Sequence, residues 1–117
     1  MAKFSVGIHP TAATETTVLT VPSKHIAIVS LVYLSNHTGN NKTCDLYWEH
    51  AHDTAHDIYL VDGKTFTTAE ILNLDQIEIV LQENDKIKII TEAGSDFSVL
   101  VTFDLQLAPA TTFNFND

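Results

Sequence analysis

A regular rhythm of short strand-forming segments is the feature that most constrains how this chain folds. Segments rich in β-branched and aromatic residues recur about every ten residues, with Gly, Pro, Asn and Asp between them. The predicted strands are residues 4–8, 16–21, 25–36, 43–50, 57–61, 64–74 (a strand plus a corner), 77–82, 86–89 and 97–105. Eight or nine strands in 117 residues predict an all-β protein, an antiparallel β-sandwich of the jelly-roll-like or another Greek-key kind.

The length of the chain predicts one domain. A chain of 117 residues has a common single-domain size and buries roughly two thirds of its unfolded surface on folding. We expect one sandwich domain over residues 1–107, followed by a C-terminal arm, residues 108–117. The arm lacks strand alternation but carries Phe113 and Phe115, and each exposed ring forfeits about 1.5–3 kcal/mol relative to burial. We therefore expect the arm to dock on the domain or on a neighbour.

The third predicted strand is apolar on both faces. Strict alternation gives it two sets of side chains: Ile26, Ile28, Val32 and Leu34 on one face, and Ala27, Val29, Leu31 and Tyr33 on the other. One set packs against the second sheet, so the other needs a helix, an arm or another subunit to cover it. Two turns are also predicted, a hairpin turn at Asp62-Gly63 and a turn at Asn84-Asp85.

The charge balance excludes several partners. Fifteen Asp and Glu against six Lys and no Arg give a net charge of -9, whereas a phosphate-binding surface needs clustered cations. We therefore expect no nucleic-acid partner. The longest apolar run, residues 26–34, is about half of a membrane-spanning helix, and no secretory leader is readable. The sequence predicts a soluble chain made in the cytoplasm, with no membrane partner.

Three histidines form the candidate metal site. His50 and His52 are two residues apart and would share a strand face, and His56 is close enough in sequence to complete a set of ligands. The spacing up to Gly63 resembles the first metal motif of cupins, with His56 in place of the usual Glu. Cupins need a further His on a later strand, and none follows His56. The alternatives are a polar hairpin loop and a metal site, and we expect no cofactor.

No catalytic motif is readable elsewhere. Cys44 lies in a predicted strand beside Asp45, whose charge disfavours the thiolate, so we expect a buried structural cysteine and not a nucleophile. Aromatic side chains offer an alternative function, a stacking platform for sugar. Its members would be Trp48, Tyr47, Tyr33 and Tyr59.

Several short motifs occur in an order that is similar to small virion proteins of tailed bacteriophages. Residues 20–29 read TVPSKHIAIV, which resembles the Thr-Val-Pro opening of those proteins, and the likeness extends over residues 18–103. The later motifs are an Asn-x-Thr turn, a Tyr-Trp strand, Leu-Val-Asp-Gly-Lys, Leu-x-Leu, Ile-Val-Leu-x-Glu-x-Asp-Lys-Ile-Lys and Ala-Gly-Ser-x-Phe-Ser-Val. Here they stand at residues 36–38, 47–48, 60–64, 72–74, 79–88 and 93–99.

The resemblance implies a structural virion protein and no enzyme. The expected function is a capsid decoration or cement protein that binds the exterior of the shell and bridges capsomers. Its partners would be the major capsid protein and other copies of itself, with a trimer as the expected oligomer. A neck, tail or fibre-attachment component is the alternative within the virion. As interface anchors we expect Tyr33, Trp48, Phe113 and Phe115, because large aromatic side chains dominate interface energies.

Overall fold

A computed structural model describes residues 2–51 and 57–108 of the chain. The described residues form nine strands and no helix, as the rhythm of the sequence predicts. The strands are β1 (Ala2–Ile8), β2 (Thr16–Thr20), β3 (His25–Asn36), β4 (Lys42–Glu49), β5 (Ile58–Phe66), β6 (Ile71–Leu74), β7 (Ile79–Leu81), β8 (Lys86–Thr91) and β9 (Phe97–Leu107). None of the described segments forms a helix of the length and apolar character that a membrane crossing requires.

Two antiparallel sheets pack face to face. The first sheet has the order β1-β9-β3-β6, and β7 also pairs with β3, next to β6. The second sheet has the order β2-β8-β4-β5. β4 pairs with β5, β3 with β6 and β7, β2 with β8, and β1 with β9, so the chain resembles one long hairpin rolled into a sandwich. Among the predicted sandwich types, this pairing selects the jelly roll.

One core lies between the two sheets, and strand alternation supplies it. In β9, Phe97, Val99 and Val101 are buried while the side chains between them face outward. In β8, Ile87 and Ile89 are buried between half-buried lysines. The pattern of alternating apolar residues therefore predicted the inner face of both strands correctly.

The predicted faces of β3 are wrong over half of the strand. A β-bulge between Val29 and Leu31 inserts one unpaired residue, Ser30, opposite β9. Because one extra residue reverses the alternation, Val29 and Val32 both point into the core, and Leu31 turns outward. The prediction that both faces of this strand are apolar is nevertheless confirmed.

The Asp62-Gly63 dipeptide is also not the predicted hairpin turn. Both residues lie inside β5, where they stand together opposite the single residue Asp45 of β4 and form a β-bulge. Gly63 has a φ of 62°. The carboxylate of Asp45 accepts a hydrogen bond from the Gly63 N–H at this bulge. A glycine fits here because it adopts positive φ without the strain that a side chain would cause.

Candidate interaction surface

The outer face of the first sheet carries a cluster of apolar side chains on the side away from the core, next to polar neighbours that include Asp104 opposite Ile28 and Lys3 opposite Asp104. We call this the apolar outer face; it consists of Ile28, Leu31, Tyr33, Ile71, Val80 and Leu100. Cross-strand pairing brings these side chains together, with Tyr33 opposite Leu100 and Ile28 opposite Val80. Ile71 is 55% exposed and Val80 is 47% exposed, so the edge of the face is open to solvent. Within residues 2–51 and 57–108, no strand or helix packs on it.

The outer face of the second sheet differs because it carries a cluster of ion pairs beside the Tyr47–Tyr59 ring pair. The Lys88 ammonium contacts the carboxylates of Glu15 (3.0 Å) and Glu49, and the Tyr47 hydroxyl donates a hydrogen bond to Glu15. The hydrogen bonds from Tyr47 and Lys88 lower the pKa of Glu15, and those with Glu49 and Glu15 raise the pKa of Lys88. The charged side chains of this face therefore have partners within the same chain, whereas no described strand or helix covers the apolar outer face.

A depression lies at one end of the apolar outer face. Its volume is about 250 Å³, and it is lined by Gly7, Ile8, His9, Tyr33, Ser98, Val99 and Leu100. Gly7 lies directly opposite Leu100 in the β1–β9 ladder, and a Cβ placed on Gly7 would lie 3.5 Å from a Leu100 methyl group. The missing side chain of Gly7 therefore helps to open the space, and Tyr33 borders it from β3.

Polar groups border the depression on the side of the loops. The Ser98 hydroxyl lies 2.9 Å from His37 Nε2 and 3.4 Å from His9 Nδ1, and Ser35 Oγ lies 3.0 Å from the same His37 nitrogen. The carboxylate of Asp96 is 3.9 Å from His9 Nδ1, which is beyond hydrogen-bond distance. This border can hydrogen-bond to a polar group bound beside the apolar side chains.

The structure separates the expected aromatic residues. Tyr33 lies in the first sheet at the depression, whereas Trp48, Tyr47 and Tyr59 lie in the second sheet. Tyr47 is buried with its ring 5.2 Å from that of Tyr59. The predicted sugar platform of all four side chains is therefore wrong. The other two expected anchors, Phe113 and Phe115, lie outside the described residues.

Trp48 is fixed by a buried carboxylate that sequence reasoning missed. Its indole N–H donates a hydrogen bond to Asp85 (3.1 Å), and its ring packs against the core and 5.2 Å from the ring of His50. Asp85 is 0% exposed and also accepts the N–H groups of Ala51 and Gln82. In the sequence, Asp85 is indistinguishable from a solvated turn residue. Only its neighbour in space, the Trp48 indole, reveals its role.

The candidate metal site falls mostly on residues that the structure does not describe. His50 lies at the end of β4 beside Trp48, and His52 and His56 lie outside the described residues. Within residues 2–51 and 57–108, no three His, Cys, Asp or Glu side chains come together in a way that could hold a metal ion. The three histidines stay a sequence-based prediction of a site.

Cys44 is buried, as predicted. Its side chain belongs to the core, and desolvation together with the nearby Asp45 charge raises the pKa of the thiol to about 12. Burial is the larger cause of the raised pKa, and the Asp45 charge is the smaller one. A thiol that stays protonated in the core is a packing residue and a poor nucleophile.

The fold places this chain among antiparallel β-sandwiches, and the solved structures that it resembles include an all-β chain from a bacterial appendage. It is a chain of Bacillus endospore appendages, described as a novel family of disulfide-linked pili. The match has a TM-score of 0.51 and 15% sequence identity, and it covers 92% of this chain and 87% of that chain. No protein-family model matches the sequence, and no curated protein matches it. The likeness shows the all-β fold alone.

Proposed function

We propose that this protein is a structural subunit of a tailed-phage virion that binds the exterior of the capsid and bridges capsomers. The observation that carries the proposal is the apolar outer face, which lies on a chain of net charge -9. An exposed apolar surface bordered by polar groups is characteristic of a protein–protein contact. The function would then depend on buried interface area, because each contact between subunits raises the cost of separating them.

The charge of the chain supports an outward position on such a particle. A net charge of -9 repels packaged DNA and keeps the free subunit soluble until it binds. The apolar outer face carries none of this charge in the side chains that define it. Asp104 lies opposite Ile28 on the same face, and Lys3, of opposite charge, lies opposite Asp104. This face can therefore approach another protein with little net charge.

The structural neighbour supports an assembly role for this chain but not assembly through disulfide bonds. That neighbour belongs to disulfide-linked pili, so a sandwich of this shape serves there in an assembled appendage. This sequence has one cysteine, Cys44, which is buried with a raised thiol pKa. A polymer linked by disulfides needs at least two cysteines in each subunit. We therefore propose that this chain assembles through non-covalent contacts.

Two alternatives use the same surface. A neck, tail or fibre-attachment component would also bind through an apolar face and differs in copy number. A carbohydrate-binding module is supported by the depression, where the Tyr33 ring borders the Ser98 hydroxyl and His9. Binding to a glycan array that disappears in the Tyr33→Ala variant would favour the carbohydrate module.

Copy number on purified particles tests the proposal. Quantitative mass spectrometry would measure copies of this chain relative to the major capsid protein. A ratio near one, or a simple fraction of one, supports capsid decoration. A few to a dozen copies per particle indicates the neck or tail, and absence from the particle contradicts both virion roles.

A matched pair of variants tests the surface. Leu100→Lys places a charge on the apolar outer face, and Thr17→Lys places the same charge at an exposed position of β2 in the second sheet. Each variant is added back to particles that lack the protein. We expect Leu100→Lys to lose binding at least tenfold and Thr17→Lys to retain it. Equal binding of both variants would remove the apolar outer face from the proposal.

A further inference from the structure

We infer that the depression beside Gly7 is a receptor site for an aromatic side chain of residues 109–117 from a second copy of this chain. The inference rests on the proposed assembly role of the apolar outer face, and it names a second copy of this chain as a partner that this face binds. Each copy would then supply one arm and one receptor site. The result is a homo-oligomer held together by exchanged arms.

The shape of the site fits one bulky apolar side chain. The depression holds about 250 Å³, and Ile8, Tyr33 and Leu100 provide apolar walls on the side where Gly7 has no side chain. Ser98 and His9 stand at its border with side-chain groups that can hydrogen-bond. An apolar pocket with polar groups at its edge accepts a hydrophobic side chain and the backbone that carries it.

The arm is the segment of the chain whose composition matches this site. Residues 109–117 include Phe113 and Phe115, whose spacing of two places both rings on one side of an extended segment. Asp117 is the single charged side chain among these nine residues. Such a segment can approach a second acidic copy with little repulsion.

Chain geometry assigns the arm to a second copy and not to its own domain. Leu107 pairs with His25 and Leu100 with Tyr33, so the depression lies seven strand positions, about 23 Å, back along β9. The Ala108 N–H still donates a hydrogen bond to the Lys24 carbonyl, so the chain can reverse only after residue 108. A reversing turn takes four residues whose ends lie within about 7 Å of each other, so residues 111–115 return along β9 by at most about 14 Å. Phe113 and Phe115 therefore both fall short of the depression of their own domain. A neighbouring copy has no such limit.

Disulfide trapping distinguishes the two arrangements. One chain carries His9→Cys at the border of the depression, the other carries Asn114→Cys between the two phenylalanines, and the chains are mixed and oxidised. Cys44 is buried with a thiol pKa of about 12 and does not compete. Intact-mass measurement separates the mixed dimer from dimers of identical chains. The control mixture replaces His9→Cys with Thr17→Cys, which lies at an exposed position of the second sheet.

We expect the mixed dimer from His9→Cys with Asn114→Cys and at least tenfold less from the control. A chain that carries both substitutions and closes an internal disulfide, with no mixed dimer from the separate chains, would assign the arm to its own domain and overturn the inference. Absence of cross-links in both experiments would overturn it as well.

Self-association of the purified chain gives a second test. Light scattering after size exclusion would measure the mass of the full chain against its 12.9 kDa monomer. We expect a multiple of that mass, and at least tenfold weaker association in Phe113→Ala/Phe115→Ala and in Gly7→Val, which fills the depression. The controls are Thr111→Ala/Thr112→Ala in the same arm and Gly39→Ala, where a Cβ meets nothing within 4 Å.

The outcomes also separate this inference from the proposed function. A full chain that is monomeric, or variants that associate like the full chain, would overturn the exchanged arm. Particle binding that still depends on Leu100 would then leave the virion role supported. If the arm exchanges between copies but the chain is absent from particles, the exchanged arm is supported and the virion role is overturned.

Discussion

Trp48 and Asp85 form a hydrogen bond that joins β4 to the turn between β7 and β8. The indole N–H donates to a carboxylate that is completely buried and that also accepts two backbone N–H groups. A buried carboxylate is costly unless its oxygens are satisfied, and here three N–H donors satisfy them. Asp85 therefore holds β4, β8 and their connecting turns in one arrangement.

Asp85→Ala should destabilise the fold severely. The substitution leaves three N–H donors without their acceptor, and each unsatisfied buried group costs about 1–3 kcal/mol. We expect a loss of roughly 3 kcal/mol or more in the free energy of unfolding, measured by urea denaturation. The exposed Asp62→Ala is the matched control and should stay within about 0.5 kcal/mol. Equal losses in the two variants would contradict the role given to Asp85.

Strand alternation in β3 makes the neighbouring residues Ile28 and Val29 unequal. Val29 is fully buried, whereas Ile28 faces outward. Val29→Ala should cost about 2 kcal/mol, since two buried methyl equivalents are removed at about 0.8 kcal/mol each together with a small cavity. Ile28→Ala should cost less than half as much in the monomer. Thermal unfolding of both variants would check the order, and the reverse order would contradict the observed faces.

The Glu15 network predicts a stability change in acid. The folded-state pKa of Glu15 is lowered, so its contribution is complete above the unfolded-state pKa and is lost as pH falls through the folded-state value. At pH 7, Glu15→Gln should lower the free energy of unfolding by up to about 1 kcal/mol, because the side chain is half exposed. That difference should begin to shrink as pH falls to the ordinary glutamate pKa of 4.5, and it should disappear below the lowered folded-state pKa. Measuring both proteins from pH 3 to pH 7 checks it, and a constant difference would exclude the ion pair as the cause.

Gly63 should tolerate substitution poorly. Its φ of 62° within β5 is the left-handed region, where a side chain adds about 1 kcal/mol or more of strain. Gly63→Ala should therefore lower the melting temperature. The same change at Gly39, where a Cβ has no neighbour within 4 Å, should have little effect. Similar melting temperatures for the two variants would argue against strain at the bulge.

Cys44 should react with alkylating agents only after unfolding. Burial raises its thiol pKa to about 12, so almost no thiolate is present at pH 8. We expect iodoacetamide to label the native chain at least a hundredfold more slowly than the chain in 8 M urea. Rapid labelling of the native chain would show that this part of the core opens readily.

Much of the fold follows from side-chain alternation, and what the sequence could not predict depends on contacts between distant strands. The inner residues of β8 and β9 follow directly from alternating apolar positions. The bulge at Ser30 leaves no local signal, because both faces of β3 are apolar and either phase fits the sequence equally well. Likewise Asp62-Gly63 has the composition of a hairpin turn, and only pairing with β4 makes it a bulge.

The candidate surface could be predicted only where it depends on the local pattern of one strand. The sequence indicated that β3 needs a cover on its second face and singled out Tyr33. The depression depends on Gly7 lying opposite Leu100, which are paired across almost the whole length of the chain. Such a site becomes visible only when the strand register is known.

The pairing of β1 with β9 also affects how this protein is made. The first strand has its only ladder partner, among residues 2–51 and 57–108, in the last strand, so neither can be completed while the ribosome still holds the end of β9. Until β9 has left the ribosome, the unpaired edge of β1 has no partner and can pair with the wrong strand. The domain should therefore complete its fold only once β9 is free and before any assembly, and chaperone supply would limit the yield of overexpressed chain.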